Sequence, residues 1–174
     1  MKKIHVLISL ALIGIPALFI GSCKKEDSKP TSTIVFSMKD APAAYDEVNV
    51  EVTEIQIHSD GDGWITVPVT DSIYNLLILQ GNNAAFLANA VLPSGTVSQV
   101  RLILGTHNTV VVGGTTFPLL LSSEDETGLK LNIHQNLIGG VTYDLLLDFN
   151  ADQSVLDEGN GSYRLKPVLS ATFL

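Results

Sequence analysis

From Thr33 to Phe173 apolar and polar residues alternate, in short runs cut by Gly, Asn, Asp and Pro, and no ten-residue stretch carries a helical period. Period two is the signature of strands with one buried face. Thr33 to Met38 reads as a short strand, and Asp46 to His58 as a long one in which Val48, Val50 and Val52 share a face. The apolar set then resumes at Ile55 and Ile57, a step of three, which places a β-bulge near Thr53 and Glu54. Ser59-Asp60-Gly61-Asp62-Gly63 is a turn, with Trp64 to Val69 returning as a hairpin partner. Tyr74 to Leu79 fits a buried strand or a helical turn equally, and Asn83 to Ala90 is the one stretch that reads as a short helix. Val97 to Leu104 is a strand, and Thr109 to Val112 with Thr115 to Leu119 form a hairpin around Gly113-Gly114. Leu129 to Ile133, Thr142 to Phe149 and Tyr163 to Phe173 alternate again. Eight or nine strands without crossover helices predict an all-β, antiparallel β-sandwich, immunoglobulin-like or transthyretin-like, with at most one short helix. A domain of about 140 residues buries roughly two-thirds of its chain surface and needs neither metal nor disulfide to stand.

Composition narrows the partners. The formal charge of −8 argues against a phosphate backbone, so nucleic acid is excluded. The single Cys excludes an intramolecular disulfide framework and a zinc site built on several thiolates. A chain 45% hydrophobic and only 16% charged is not disordered.

The N-terminus reads as an address. Met1-Lys2-Lys3 is followed by an apolar run from Val6 to Ile20, the two parts of a signal peptide. Such a run reaches about 22 Å as a helix, short of a ~30 Å hydrocarbon core. Ile20-Gly21-Ser22-Cys23 resembles the bacterial lipobox, in which the Cys is acylated and becomes the new N-terminus. Several acyl chains hold a protein at a membrane far better than one. The expected organisation is residues 1–22 as lipoprotein signal peptide, 23–32 as lipidated polar tether and 33–174 as β-sandwich. Loss of Lys2 and Lys3 takes the formal charge from −8 to −10. Lys24-Lys25-Glu26-Asp27 resembles the Lys-acidic-acidic export signal of Bacteroidota lipoproteins. It implies an outer-membrane anchor facing the cell exterior, with a periplasm-facing anchor as the alternative.

Residues spread through the body of the chain resemble the family called domain of unknown function 4382, found in lipoproteins of Bacteroidota. They are Asp40-Ala41-Pro42, the valines from Val48, Trp64, Leu76-Leu77 with Gly81, Leu92-Pro93 with Gly95, Gln99-Val100-Arg101-Leu102, Asp148-Phe149-Asn150-Ala151 and Leu165-Lys166-Pro167. The resemblance spans Ile34 to Phe173 and implies an extracytoplasmic β-sandwich, and it brings no catalytic residues. Asn150 stands where the family pattern has Asp, which counts against a metal role for that loop.

Few residues suggest chemistry. Asp148, Asn150, Asp152 and Ser154 stand at alternate positions, the opening of an EF-hand-like Ca²⁺ loop. Gln153 and Gly159 occupy the places where such a loop wants Gly and a bidentate Glu, so a strand end with an Asx turn is the competing reading. His58, His107 and His134 share no ligand spacing. Glu51 and Glu54 fall on the outer face of a strand, where charges are routine. No nucleophile elbow or phosphate loop is present. Trp64, the single Trp, alternates with Ile65 onto the polar face, as a sugar-stacking platform or as a cap on the core beside the turn. The expected protein is therefore non-catalytic, without an obligatory cofactor, binding an extracellular glycan or an envelope protein. A hydrolytic component of surface polysaccharide breakdown and a purely structural envelope protein are the alternatives.

Overall fold

The computed structural model describes residues 29–69 and 73–174; the expected signal peptide and Cys23 lie outside them. Thirteen strands occur among the described residues: β1 (Thr31–Asp40), β2 (Glu47–Ser59), β3 (Gly63–Pro68), β4 (Ile73–Asn75), β5 (Ala85–Pro93), β6 (Gly95–Leu104), β7 (Thr109–Val112), β8 (Thr115–Leu121), β9 (Leu129–Leu137), β10 (Thr142–Phe149), β11 (Val155–Gly159), β12 (Ser162–Leu165) and β13 (Leu169–Phe173). They form a four-stranded sheet in the order β13-β10-β1-β5 and a nine-stranded one in the order β11-β12-β8-β7-β2-β6-β9, with β3 and β4 also pairing with β2. Alternation supplies the core between them. Ile34, Phe36 and Met38 from β1, Leu145, Leu147 and Phe149 from β10, Val48, Val50, Val52, Ile55 and Ile57 from β2, and Val100 and Leu102 from β6 all turn inward. The sequence therefore forms a β-sandwich, as its period implies.

Strand β2 organises the larger sheet. Its register shifts between Val52 and Glu54, the position where the apolar spacing changes from two to three. The chains on both sides break at the same level. On one side β6 pairs with Val52 to Ser59 and β7 with Glu47 to Asn49; on the other, β3 pairs with Glu54 to Ser59 and β4 with Asn49 to Glu51. The loop between β6 and β7 is fastened at this bend. Gly105 N–H donates to Glu51 O (2.8 Å), Glu51 N–H to Asn108 Oδ1 (2.8 Å), and Asn108 Nδ2 to Gly105 O (2.7 Å). A methyl group at Gly105 would overlap the Glu51 carboxylate, so this approach requires glycine.

Several features depart from the sequence reading, beginning with thirteen strands among the described residues where the alternation predicts eight or nine. Two pairings are parallel, β1 with β10 and β12 with β8, so the sandwich is mixed. Alternation reports which face a residue occupies and carries no strand direction, and here the chain passes through the opposite sheet between β1 and β10, so no crossover helix is needed. The helix expected over Asn83 to Ala90 is strand β5, and the short α-helix α1 is Ala151–Ser154. A register shift opposite Phe36 and Ser37 leaves Leu87 as an extra residue, and Leu87 and Ala88 are both buried. That bulge destroys the alternation, and the four alanines of the stretch then mimic a helix. The run from Tyr163 to Phe173 is split at Lys166-Pro167-Val168, where the chain crosses from β12 in one sheet to β13 in the other. The first strand begins at Thr31, two residues ahead of the expected domain start.

Candidate functional site

The outer face of β3-β2-β6-β9 carries a regular array of polar side chains. Pairing puts Trp64, His58, Gln99 and Asn132 in one row across the four strands, and Thr66, Gln56, Arg101 and Lys130 in the next. Glu54 follows beside Pro68 and Ile103. The array is tied together: Arg101 Nη1 donates to Gln56 Oε1 (3.0 Å), Gln56 Nε2 to Glu54 Oε1, Thr66 Oγ1 to Glu54 Oε1 (3.3 Å) and Gln99 Nε2 to Asn132 Oδ1 (2.9 Å). His58 Nδ1 hydrogen-bonds with Ser98 Oγ (2.9 Å).

Trp64 lies on this array. The Arg101 guanidinium carbon is 4.3 Å from the indole centroid, and the His58 ring meets the indole edge-on at 5.1 Å between centroids. Trp64 retains 40% of its surface exposed. The guanidinium packs on the indole ring, and Trp64 keeps this exposure with Arg101 and His58 both against it. Arg101 Nε is buried with no hydrogen-bond partner among the described residues. Alternation puts Trp64 and Arg101 on the polar face, where a cross-strand acidic neighbour would be the ordinary partner for an arginine. The structure instead sets it on Gln56 and the indole, a diagonal contact across β2 that no linear pattern encodes.

The four residues of the Ca²⁺ pattern are engaged in different ways. Asp148 Oδ2 takes an ion pair from Lys39 Nζ at 2.9 Å. Asn150 caps α1, its Oδ1 accepting from Gln153 N–H (3.0 Å). Asp152 is exposed in the first turn of α1. Ser154 is fully buried; its hydroxyl donates to Asn150 O and accepts from Val168 N–H (2.8 Å), which fastens the crossing to β13. Among the described residues no group of three or more His, Cys, Asp and Glu is placed to hold a metal ion.

One carboxylate is unusual. Asp40 ends the inward phase of β1 and is 4% exposed; its Oδ1 accepts from Ala151 N–H (2.8 Å), while Oδ2 has no hydrogen-bond partner among the described residues. Burial pushes its pKa up to about 6, against the pull of the Ala151 and Ala41 N–H groups and with a smaller push from the Asp148 charge. Its place in the phase Ile34, Phe36, Met38, Asp40 was the signal that could have marked it. Glu51 is displaced the other way, chiefly because the His107 N–H hydrogen-bonds its carboxylate. The Glu51 carboxylate also meets the His107 ring at 2.9 Å, and Glu54 belongs to the polar array, so the two carboxylates serve different parts of the sheet.

A shallow groove of about 330 Å³ lies on the other sheet, between the 81–84 loop and Leu174, over Ser37, Lys39 and Asp144. Its one cation, Lys39, is neutralised by Asp148.

Neither the curated proteins nor the solved structures include a match to this chain. A family model does match, over residues 31–167, from the first strand to the crossing at Pro167. With nearly all of the sandwich covered, the chain belongs to the family described as Domain of unknown function (DUF4382).

Proposed function

We propose that this is a lipoprotein, anchored in the outer membrane by acylated Cys23 and facing the cell exterior, whose sandwich is a non-catalytic binding module for an extracellular glycan. The observation that carries the reading is the indole of Trp64, laid over Arg101 and partly exposed amid hydrogen-bonding side chains already held in place. A pyranose presents an apolar C–H face ringed by hydroxyls. It suits an aromatic surface bordered by fixed amides and carboxylates, because little side-chain freedom is lost on contact. The placement of Asp40 weighs in the same direction. Burial holds it above its ordinary range, but at 4% exposed and hydrogen-bonded to Ala151 N–H it is out of reach of a substrate that a hydrolytic acid would serve.

A screen of the mature chain, with Cys23→Ser to keep it in solution, against an array of bacterial and host polysaccharides tests the reading. Binding to at least one glycan class, lost in Trp64→Ala, is expected. Glycan cleavage by the wild type would replace the binding reading with a hydrolytic one.

A further inference from the structure

We propose that the end of the sandwich where the tether enters rests on the lipid bilayer, with Ile138 and Val141 dipping among the headgroups. This rests on the Cys23 anchor reading above. The chain enters pinned between two turns. Pro30 O accepts from Ser94 N–H (2.8 Å) in the turn between β5 and β6, and Thr31 O accepts from Gly140 N–H (2.7 Å) in the turn between β9 and β10. The ring of Pro30 fills the space beside Gly139, so the entry point and the second turn form one surface. On that turn Ile138 is 61% exposed and Val141 39% exposed, and Val91 on β5 is 66% exposed in the row where Thr33 pairs with it. Exposed aliphatic side chains at the tip of a turn have no role in the core.

The length of chain ahead of the structure selects the occupant. Six residue steps lead from Cys23 to Lys29, a reach of about 20 Å when fully extended. An acylated Cys23 therefore keeps this end within that distance of the headgroups, whichever way the rest of the domain turns. Two or three aliphatic side chains are too small an area for a stable protein interface, which takes about 800 Å² per partner. They are the size of an interfacial anchor that adds a second, weak membrane contact to a lipid. The turn between β2 and β3 brings Asp60 and Asp62 to the same end, where Asp60 N–H donates to Thr96 O (3.0 Å) and the Lys29 ammonium lies beside Gly61; with two carboxylates to one ammonium, zwitterionic headgroups suit this turn better than anionic ones.

The test uses the lipidated chain in phosphatidylcholine–phosphatidylethanolamine vesicles. With Cys23 acylated, Ile138→Cys supplies a single free thiol for an environment-sensitive fluorophore, and Thr115→Cys, at the opposite end beside Gly113-Gly114, supplies the control. Blue-shifted emission quenched by brominated acyl chains at position 138, and neither effect at 115, is expected. Protein that floats with the vesicles while both probes remain in water overturns the contact and leaves the anchor standing. Protein that does not float at all removes the anchor reading, and the contact falls with it.

Discussion

Arg101 on β6 and Trp64 on β3 meet across the strand that separates them, guanidinium to indole at 4.3 Å, with Gln56 of β2 accepting a hydrogen bond from the same guanidinium. Three strands thus share one contact on the outer face. It seats the indole on the sheet while 40% of the residue remains exposed.

Arg101→Met keeps the aliphatic stem and removes the charge. The change forfeits a cation–π contact of about 0.5–1 kcal/mol and one hydrogen bond, and it also removes a buried Nε that has no partner. The opposing effects are expected to leave stability within about 1 kcal/mol of wild type by urea denaturation. Indole mobility, read as fluorescence anisotropy of Trp64, should rise. Unchanged anisotropy would mean that the guanidinium does not position the ring.

Asp40 sets an unusual pH dependence. Its carboxyl holds a proton more tightly when folded than when unfolded, so stability falls as pH rises from about 4 to 6 and is level above that. Asp40→Asn keeps the acceptor for Ala151 N–H and cannot ionise. It is expected to be more stable than wild type above pH 6, by about 1–2 kcal/mol, and to lose the slope between pH 4 and 6. Thermal melts across that range decide it; a variant with the wild-type slope would show that Asp40 does not titrate there. Glu51, with its carboxylate favoured, contributes in the opposite sense, its share being lost only as pH drops through its lowered pKa.

Asn108→Ala removes both side-chain hydrogen bonds that fasten the loop at the bend of β2, at a site 2% exposed. The freed Glu51 N–H and Gly105 O would cost about 1–3 kcal/mol. Chemical denaturation measures this, and a change below about 0.5 kcal/mol would show the loop to be held by Glu51 and His107 alone.

Cys23→Ala should abolish acylation and leave the chain uncleaved or released from the membrane fraction. Mass spectrometry of the native protein finding an unmodified thiol at Cys23 would contradict the anchor.

Much of the fold can be read from particular residues. The change of step at Val52 to Ile55 marks the bulge, Gly113-Gly114 marks a hairpin whose two glycines adopt φ of 57° and 75°, and Trp64 alternates onto the outer face. What escapes is non-local. The parallel partnership of β1 and β10, the crossing at Pro167 and the bulge at Leu87 depend on which strands meet, and a face pattern does not specify that. The site divides in the same way. The polar face is visible as alternation, whereas the seat of Trp64 on Arg101 and the burial of Asp40 against Ala151 arise only when distant segments are brought together.

The most direct measurement follows from Trp64 being the single Trp, so that intrinsic fluorescence reports on the proposed surface alone. Titrating wild-type protein with the best glycan from the array should shift and saturate its emission. Trp64→Ala should weaken binding to that glycan at least tenfold, measured by calorimetry, while lowering stability by only about 1–2 kcal/mol, as fits a side chain 40% exposed. A glycan that binds with no change in Trp64 emission and with equal affinity in the variant, or a loss of stability of about 3–5 kcal/mol with no glycan bound at all, would contradict the platform.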